Sequence, residues 1–467
     1  MRVSGGALFL ALLASGCHPV EPPVTHPAFS GGGLLVVYLQ PLPPAAARLK
    51  LTLQALRAVR GDGTSLPLTM AFTDLDRESA GRERRLAARG LPAGRYTGLA
   101  AGVAAASREE GEAGGTLQVP ADPVSIPVPF TIEERRAVVL TLGIDPRQPV
   151  EPGSRFAPAF TASHPRRPAP DLIALASSRG SDSVTLFDKI SGRIAGIIPI
   201  AGSPSGLALD RARRRVYVAA TGSDTIEAIG VLEQATLAHL GLRGGDAPVE
   251  LALTPDGGTL LAVNTGSSTV SVIAALPMVE TARVAVGDSP VFLLMDRLGR
   301  RAYTFNTASG TISVIDVAAR AVAGTIATEA GPIRGDFSAA GDRLYVIHRT
   351  SPYLLVIDPI TLSETARVHV GTGVTAIKVD PQSGRIYLAN RLSASIDIYD
   401  PLSLLPVDAI PVDGTISHMT IDEEGNNLYL VLPGTGEVRI LRIVSKAIVA
   451  RADVGEAPYD TVLAGER

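Results

Sequence analysis

The sequence predicts an all-β chain in which a β-sandwich precedes a seven-bladed β-propeller, and three observations carry that prediction. Two independent markers recur seven times at steps of 42 to 44 residues. One is an apolar or aromatic position, at Ile173, Tyr217, Leu261, Tyr303, Tyr345, Tyr387 and Tyr429; the other falls at Pro204, Pro248, Pro290, Pro332, Val374, Ile416 and Pro458. Each repeated unit holds four short apolar runs parted by turn residues, which is how a propeller blade reads in sequence. The N-terminal third alternates apolar and polar residues with period two and carries no helical period, as strands with one buried face do.

The elements follow in order. Arg2 precedes an apolar stretch, Ala7 to Ala14, too short to span a bilayer, and residues 1–16 are expected to form a leader peptide. Ala14-Ser15-Gly16 directly before Cys17, the sole cysteine, resembles the bacterial lipobox. The resemblance implies cleavage before Cys17 and lipidation of its thiol, hence a membrane partner through the lipid anchor. His18 follows, and no inner-membrane retention aspartate does, so the expected location is the cell envelope, at the outer membrane. Residues 17–30, with the Pro-rich run from His18, form a tether.

Residues 31–145 are expected to form the β-sandwich. Leu34 to Leu39 is an apolar run; Leu49, Leu51 and Leu53 alternate with polar residues. Val124, Ile126, Val128 and Phe130 alternate with Ser125, Pro127 and Pro129, and prolines on one face of a strand fit a sheet edge. Leu91-Pro92-Ala93-Gly94-Arg95-Tyr96, with the segment 117–120, resembles a bacterial lipoprotein domain family of unknown function. Residues 146–170, rich in proline and arginine, read as a linker.

Residues 171–467 form the propeller. The repeat begins at Leu172 with the second strand of a unit and ends at Pro458–Ala464 with a first strand, so the C-terminal strand completes the blade that the N-terminal strands begin. That closure removes the open sheet edges of a linear array. Tyr387-Leu388-Ala389-Asn390, Tyr303-Thr304-Phe305-Asn306 and Leu261-Ala262-Val263-Asn264 resemble the YVTN β-propeller repeat. The resemblance implies a microbial surface or periplasmic propeller and no particular activity.

Net charge is −3 with no long basic run, which argues against nucleic-acid binding. The histidines form no metal-spaced pair and no haem-attachment motif, so no metal, cofactor or catalytic residue is assigned. A candidate binding face is expected where the loops after second strands meet the loops entering the next blade. It comprises Arg179, Asn264, Asn306, His348, Arg349, Asn390, Arg391, His418 and Tyr459. Asn264, Asn306, His348 and Asn390 hold one repeat position, where an asparagine also closes its own turn. Arg349 and Arg391 stand one residue further on, at a solvated rim or in a basic funnel for an anionic ligand. No nucleophile motif or phosphate loop appears. The expected function is therefore a non-enzymatic binding or scaffolding module with a protein or small-molecule partner. The alternatives are a lactonase-like hydrolase, an accessory subunit of a periplasmic oxidoreductase, and a structural surface component.

Overall fold

In a computed structural model of the chain, residues 32–43, 49–76, 81–108, 115–144, 150–151, 155–156, 159–329 and 331–464 are described. The expected leader and tether, and Cys17 with its expected lipidation, lie outside the described residues.

Two sheets face each other in the N-terminal domain. One runs in the order Phe160–Ser163, Ala137–Ile144, Gly32–Leu39, Arg84–Pro92, Thr69–Met70, with Gly32–Leu39 parallel to Ala137–Ile144. The other is built on Leu49–Arg60 paired with Gly94–Arg108. The alternating leucines Leu49, Leu51 and Leu53 are buried between the sheets, as period-two patterning requires. Val124–Ile132 pairs with Gly94–Arg108 alone and turns Pro127 and Pro129 to solvent, so their missing N–H groups leave no ladder position open. Tyr96 stacks on Phe130 at 5.0 Å and donates its hydroxyl hydrogen bond to the Pro92 carbonyl.

The segment expected to be a linker departs from that reading. Phe160–Ser163 pairs with Ala137–Ile144 as the outermost strand of the first sheet, so the sandwich continues to residue 163. Proline and arginine content suggested a hinge, but four extended residues beside an open sheet edge are enough to pair with it.

Seven four-stranded antiparallel sheets follow among the described residues. We number as blade 1 the one that closes the ring: Pro458–Leu463 inside, then Ile173–Ser178, Ser183–Asp188 and Ile194–Pro199. The later blades start with the inner strands Pro204–Asp210, Pro248–Leu253, Pro290–Met295, Pro332–Phe337, Val374–Val379 and His418–Ile421, blades 2 to 7 in that order. Closure places Leu175 opposite Val462, and Thr461 Oγ1 donates to the Leu175 carbonyl at 2.9 Å.

Repeated residues hold the blades together. Tyr217, Tyr303, Tyr345, Tyr387 and Tyr429 are all buried between blades. Tyr217, Tyr303 and Tyr429 donate across the seam to the carbonyls of Ala275, Pro359 and Lys189. Asp358 and Asp400 each accept two backbone N–H bonds from the turn that follows, which holds both carboxyls below the usual range.

The sandwich packs on the ring at the closing blade. Leu35, Val37 and Leu39 point into the sandwich core, while Leu34, Val36 and Tyr38 pack with Ala174, Phe187 and Tyr429 of blades 1 and 7. A strand covered on both faces accounts for the unbroken apolar run. Tyr38 donates to the Asp453 carbonyl at 3.0 Å, and the Asp453 carboxylate accepts the Arg85 N–H at 3.0 Å. Glu83 accepts the Ile194 N–H at 3.0 Å, and Arg82 pairs with the buried Glu437.

Candidate functional site

The expected binding-face residues fall into three groups. Asn264, Asn306, His348 and Asn390 are buried at the ends of second strands. The Asn264 amide donates to Thr269 and Ser271, and the Asn306 amide to Thr311 and Ser313, at 2.8–3.1 Å. Asn390 accepts the Leu392 N–H at 2.9 Å. His348 keeps the repeat position, but neither ring nitrogen has a partner among the described residues, and burial pushes its pKa down. The three asparagines hydrogen-bond within their own blades, and all four side chains are buried away from the rim.

Arg349 and Arg391 form the second group, exposed one residue beyond the strand ends. The matching Thr221, Thr265 and Thr307 donate to the carbonyls of Pro248, Pro290 and Pro332, each the first residue of the next inner strand. Arginine at this place gives up that seam bond and leaves a charged side chain on the rim.

The third group, Arg179, His418 and Tyr459, meets in the interior of the ring with residues that the repeat analysis did not single out. Two residues past Pro204, Pro248, Pro290, Pro332, Val374, Ile416 and Pro458 stand Gly206, Glu250, Phe292, Arg334, Ala376, His418 and Asp460. In blades 2 to 6 the inner strand is bulged between its first residue and the positions that follow, a device that re-aims side chains. Arg334 of blade 5 lies 2.9 Å from His418 Nδ1 of blade 7. That contact skips blade 6, so it crosses the interior. A guanidinium only donates, so Nδ1 accepts and Nε2 carries the proton. His418 Nε2 lies 3.2 Å from Asp460 Oδ1, and the other Asp460 oxygen accepts the Leu207 N–H at 2.9 Å.

Around this relay the Arg179 guanidinium lies 3.8 Å from the Tyr459 ring centre, and that of Arg334 lies 4.9 Å from Phe292 and 5.9 Å from Tyr459. Glu250 is 4% exposed and its Oε2 has no partner among the described residues. A side chain at Gly206 would place its Cβ 2.8 Å from Glu250 Oε1, so the glycine makes the room that Glu250 occupies. One layer deeper, Lys378 Nζ pairs with Asp336 at 2.9 Å.

A family model for YNCE-like β-propellers matches residues 182–464. The chain belongs to the YNCE-like β-propeller family. No curated protein matches its sequence. Among solved structures, this YNCE-like chain is similar to hydrazine synthase of Kuenenia stuttgartiensis, at 17% identity and TM-score 0.54 over 59% of this chain and 93% of that one. It is similar to a functionally unknown protein of Desulfotomaculum acetoxidans, at 13% identity and TM-score 0.56 over 63% and 99% of the two chains. It is also similar to the dihydro-heme d1 dehydrogenase NirN, at 16% identity and TM-score 0.50 over 64% and 78%. At such identities the likeness is one of fold.

The interior of this YNCE-like ring is electrostatically uneven. Burial, reinforced by the Asp460 carboxylate, pushes Glu250 up to about 8. Burial also raises Asp460, to about 6. His418 is held well below its usual value by burial and by the cations of Arg334 and Lys378. At neutral pH the cluster therefore presents two guanidinium charges, a neutral imidazole and a protonated glutamic acid, with Asp460 as its carboxylate. The repeated asparagines were legible as a period; the interior cluster was not, because no two of its residues share a side-chain type except for its acids and arginines, and a period search sees only sameness.

Proposed function

We propose that this protein is a non-enzymatic binding module of the bacterial cell envelope, anchored by lipid on Cys17 and engaging its partner through the propeller. The observation that supports the reading is the convergence of Arg179 and Arg334 on Tyr459, with no ion-pair partner for either among the described residues. Arg283 and Arg439, also in the ring, are by contrast ion-paired, Arg283 with Asp246 and Arg439 with Glu437. Groups left unpaired in a concave interior are the usual mark of a binding site. Arg349 and Arg391 add positive charge to the rim on the same side as Arg179, since all three follow second strands.

The test is a crosslinking pull-down from native membranes with the full acylated chain and with an Arg349→Glu/Arg391→Glu variant. A protein captured by the first and lost by the second supports the reading. Equal capture by both, or by neither, sinks the rim as the recognition surface. Cys17→Ser is expected to move the protein out of the membrane fraction, and unchanged fractionation would remove the anchor from the proposal.

A second reading, an accessory subunit of a periplasmic oxidoreductase, draws on the redox enzymes among the similar structures. Co-purification of a redox subunit in the same pull-down would favour it.

A further inference from the structure

Resting on the reading of the propeller as a binding module, the geometry points to a small-molecule oxyanion, a carboxylate or phosphate, held inside the ring by the guanidinium groups of Arg179 and Arg334 beside Glu250. Two like charges that approach one aromatic ring repel each other, and desolvation adds to the cost. Such an arrangement persists where an anion completes it. The resident acids complete it only in part: Asp460 offsets some of the Arg334 charge, but its oxygens are taken by His418 and the Leu207 and Thr461 N–H groups, the last at 2.7 Å. Glu250 forms no ion pair among the described residues, and its buried Oε2 has no partner. The Arg179 Nε is likewise buried without a partner.

The donors suit the ligand. A guanidinium lying over a ring face keeps its N–H edge free, and that planar edge matches two oxygens of a carboxylate or phosphate. Arg334 is held in place by His418 and the Phe292 face, so it loses little freedom on binding. Gly206 makes the room in which Glu250 lies beside these groups. The ligand is small because Arg334 already bridges the interior to blade 7.

Glu250 adds a pH term. Burial and the Asp460 carboxylate raise its pKa against the opposing pull of Arg334 and Arg179, with the Tyr459 ring beside them, and the balance favours the protonated acid at neutral pH. A protonated carboxyl donates to an oxyanion, and an ionised one repels it. Affinity therefore falls as pH rises through about 8.

The experiment is calorimetric titration of the full chain at low salt with inorganic phosphate and, separately, with succinate. Saturable binding of at least one probe is expected, weakened about tenfold or more by Arg334→Gln and by Arg179→Gln. Binding of phosphate alone assigns a phosphoryl ligand; binding of succinate alone assigns a carboxylate. Should Arg334→Gln fail to fold, Arg179→Gln, in a loop, carries the test. Wild-type affinity for the bound probe is expected to drop between pH 7 and 9, and Glu250→Gln to abolish that drop. Binding of neither probe overturns the proposal, as does binding that both arginine variants retain. A membrane partner captured equally by wild type and Arg179→Gln, with neither anion bound, refutes the oxyanion site and leaves the binding module standing. An anion bound with no membrane partner captured supports the oxyanion site and removes the rim as a protein-recognition surface.

Discussion

Tyr217 and Tyr387 occupy the same repeat position, and both are fully buried between blades. They differ in one respect. The Tyr217 hydroxyl donates to the Ala275 carbonyl of the next blade at 3.2 Å, whereas the Tyr387 hydroxyl has no partner among the described residues. Replacing each by Phe keeps the ring and removes only the oxygen. Tyr217→Phe loses a net hydrogen bond and strands the carbonyl of Ala275, a buried residue, for a cost of about 1–2 kcal/mol. Tyr387→Phe removes a desolvated hydroxyl that gains nothing in return, so the expected change lies between zero and a gain of about 1 kcal/mol. Equilibrium urea unfolding followed by circular dichroism reads both. The midpoint should fall for Tyr217→Phe and hold or rise for Tyr387→Phe, with the slope unchanged. Equal losses in the two variants would refute the view that the seam hydroxyls, and not the rings alone, contribute to blade cohesion.

Other outcomes follow from the same contacts. Glu437 is buried and bonds Arg82 of the sandwich and Arg439 of its own strand; Glu437→Ala should cost about 3–5 kcal/mol, seen as a lower unfolding midpoint. Glu250 is protonated in the fold up to about pH 8 but ionises near its ordinary value of 4.5 when unfolded, so its contribution to stability is full at low pH and is lost as pH rises from about 4.5 to 8. Glu250→Gln should flatten that part of the urea-midpoint profile, and an unaltered profile would exclude the buried acid as its source. His418 acts with the opposite sign: held neutral in the fold, it withdraws stability as pH falls below 6.5, and His418→Gln should reduce the loss on acidification. Deleting residues 458–467 removes the inner strand of blade 1 and should yield aggregates by size-exclusion chromatography; a stable monomer would contradict ring closure.

Most of the architecture was legible because it is built by repetition. A strand-centre tyrosine and a strand-initial proline at a constant step mark blade number and closure, since the chain begins the ring on a second strand and ends it on a first. The alternating leucines of Leu49–Arg60 and the one-sided prolines of Val124–Ile132 were equally readable, each matching a buried or solvent-facing row. The strand Phe160–Ser163 escaped notice. At four residues it is too short to display alternation, and it sits among prolines that suggest a hinge. The run Leu34 to Leu39 was visible as apolar, yet its meaning, a strand packed on the sandwich core by one face and on blades 1 and 7 by the other, depended on knowing that the domains touch.

The candidate site was less legible for a reason intrinsic to repeats. What recurs from blade to blade is what the framework needs: a tyrosine for the seam in five blades, an asparagine to close a strand end in three, an aspartate to cap the turn after a third strand. A search for equivalent residues therefore leads to the framework, as the burial of Asn264, Asn306 and Asn390 illustrates. A binding site in a ring has the opposite requirement. One backbone position, presented around the axis by successive blades, must carry different chemistry at each turn if the blades are to meet an asymmetric ligand. The third residue of the inner-strand segment does this, running Gly206, Glu250, Phe292, Arg334, Ala376, His418, Asp460. Gly206 makes room for Glu250, Phe292 supports the cation of Arg334, and Arg334, His418 and Asp460 make the relay. In this ring, function is to be sought where the period holds in the backbone and fails in the side chain.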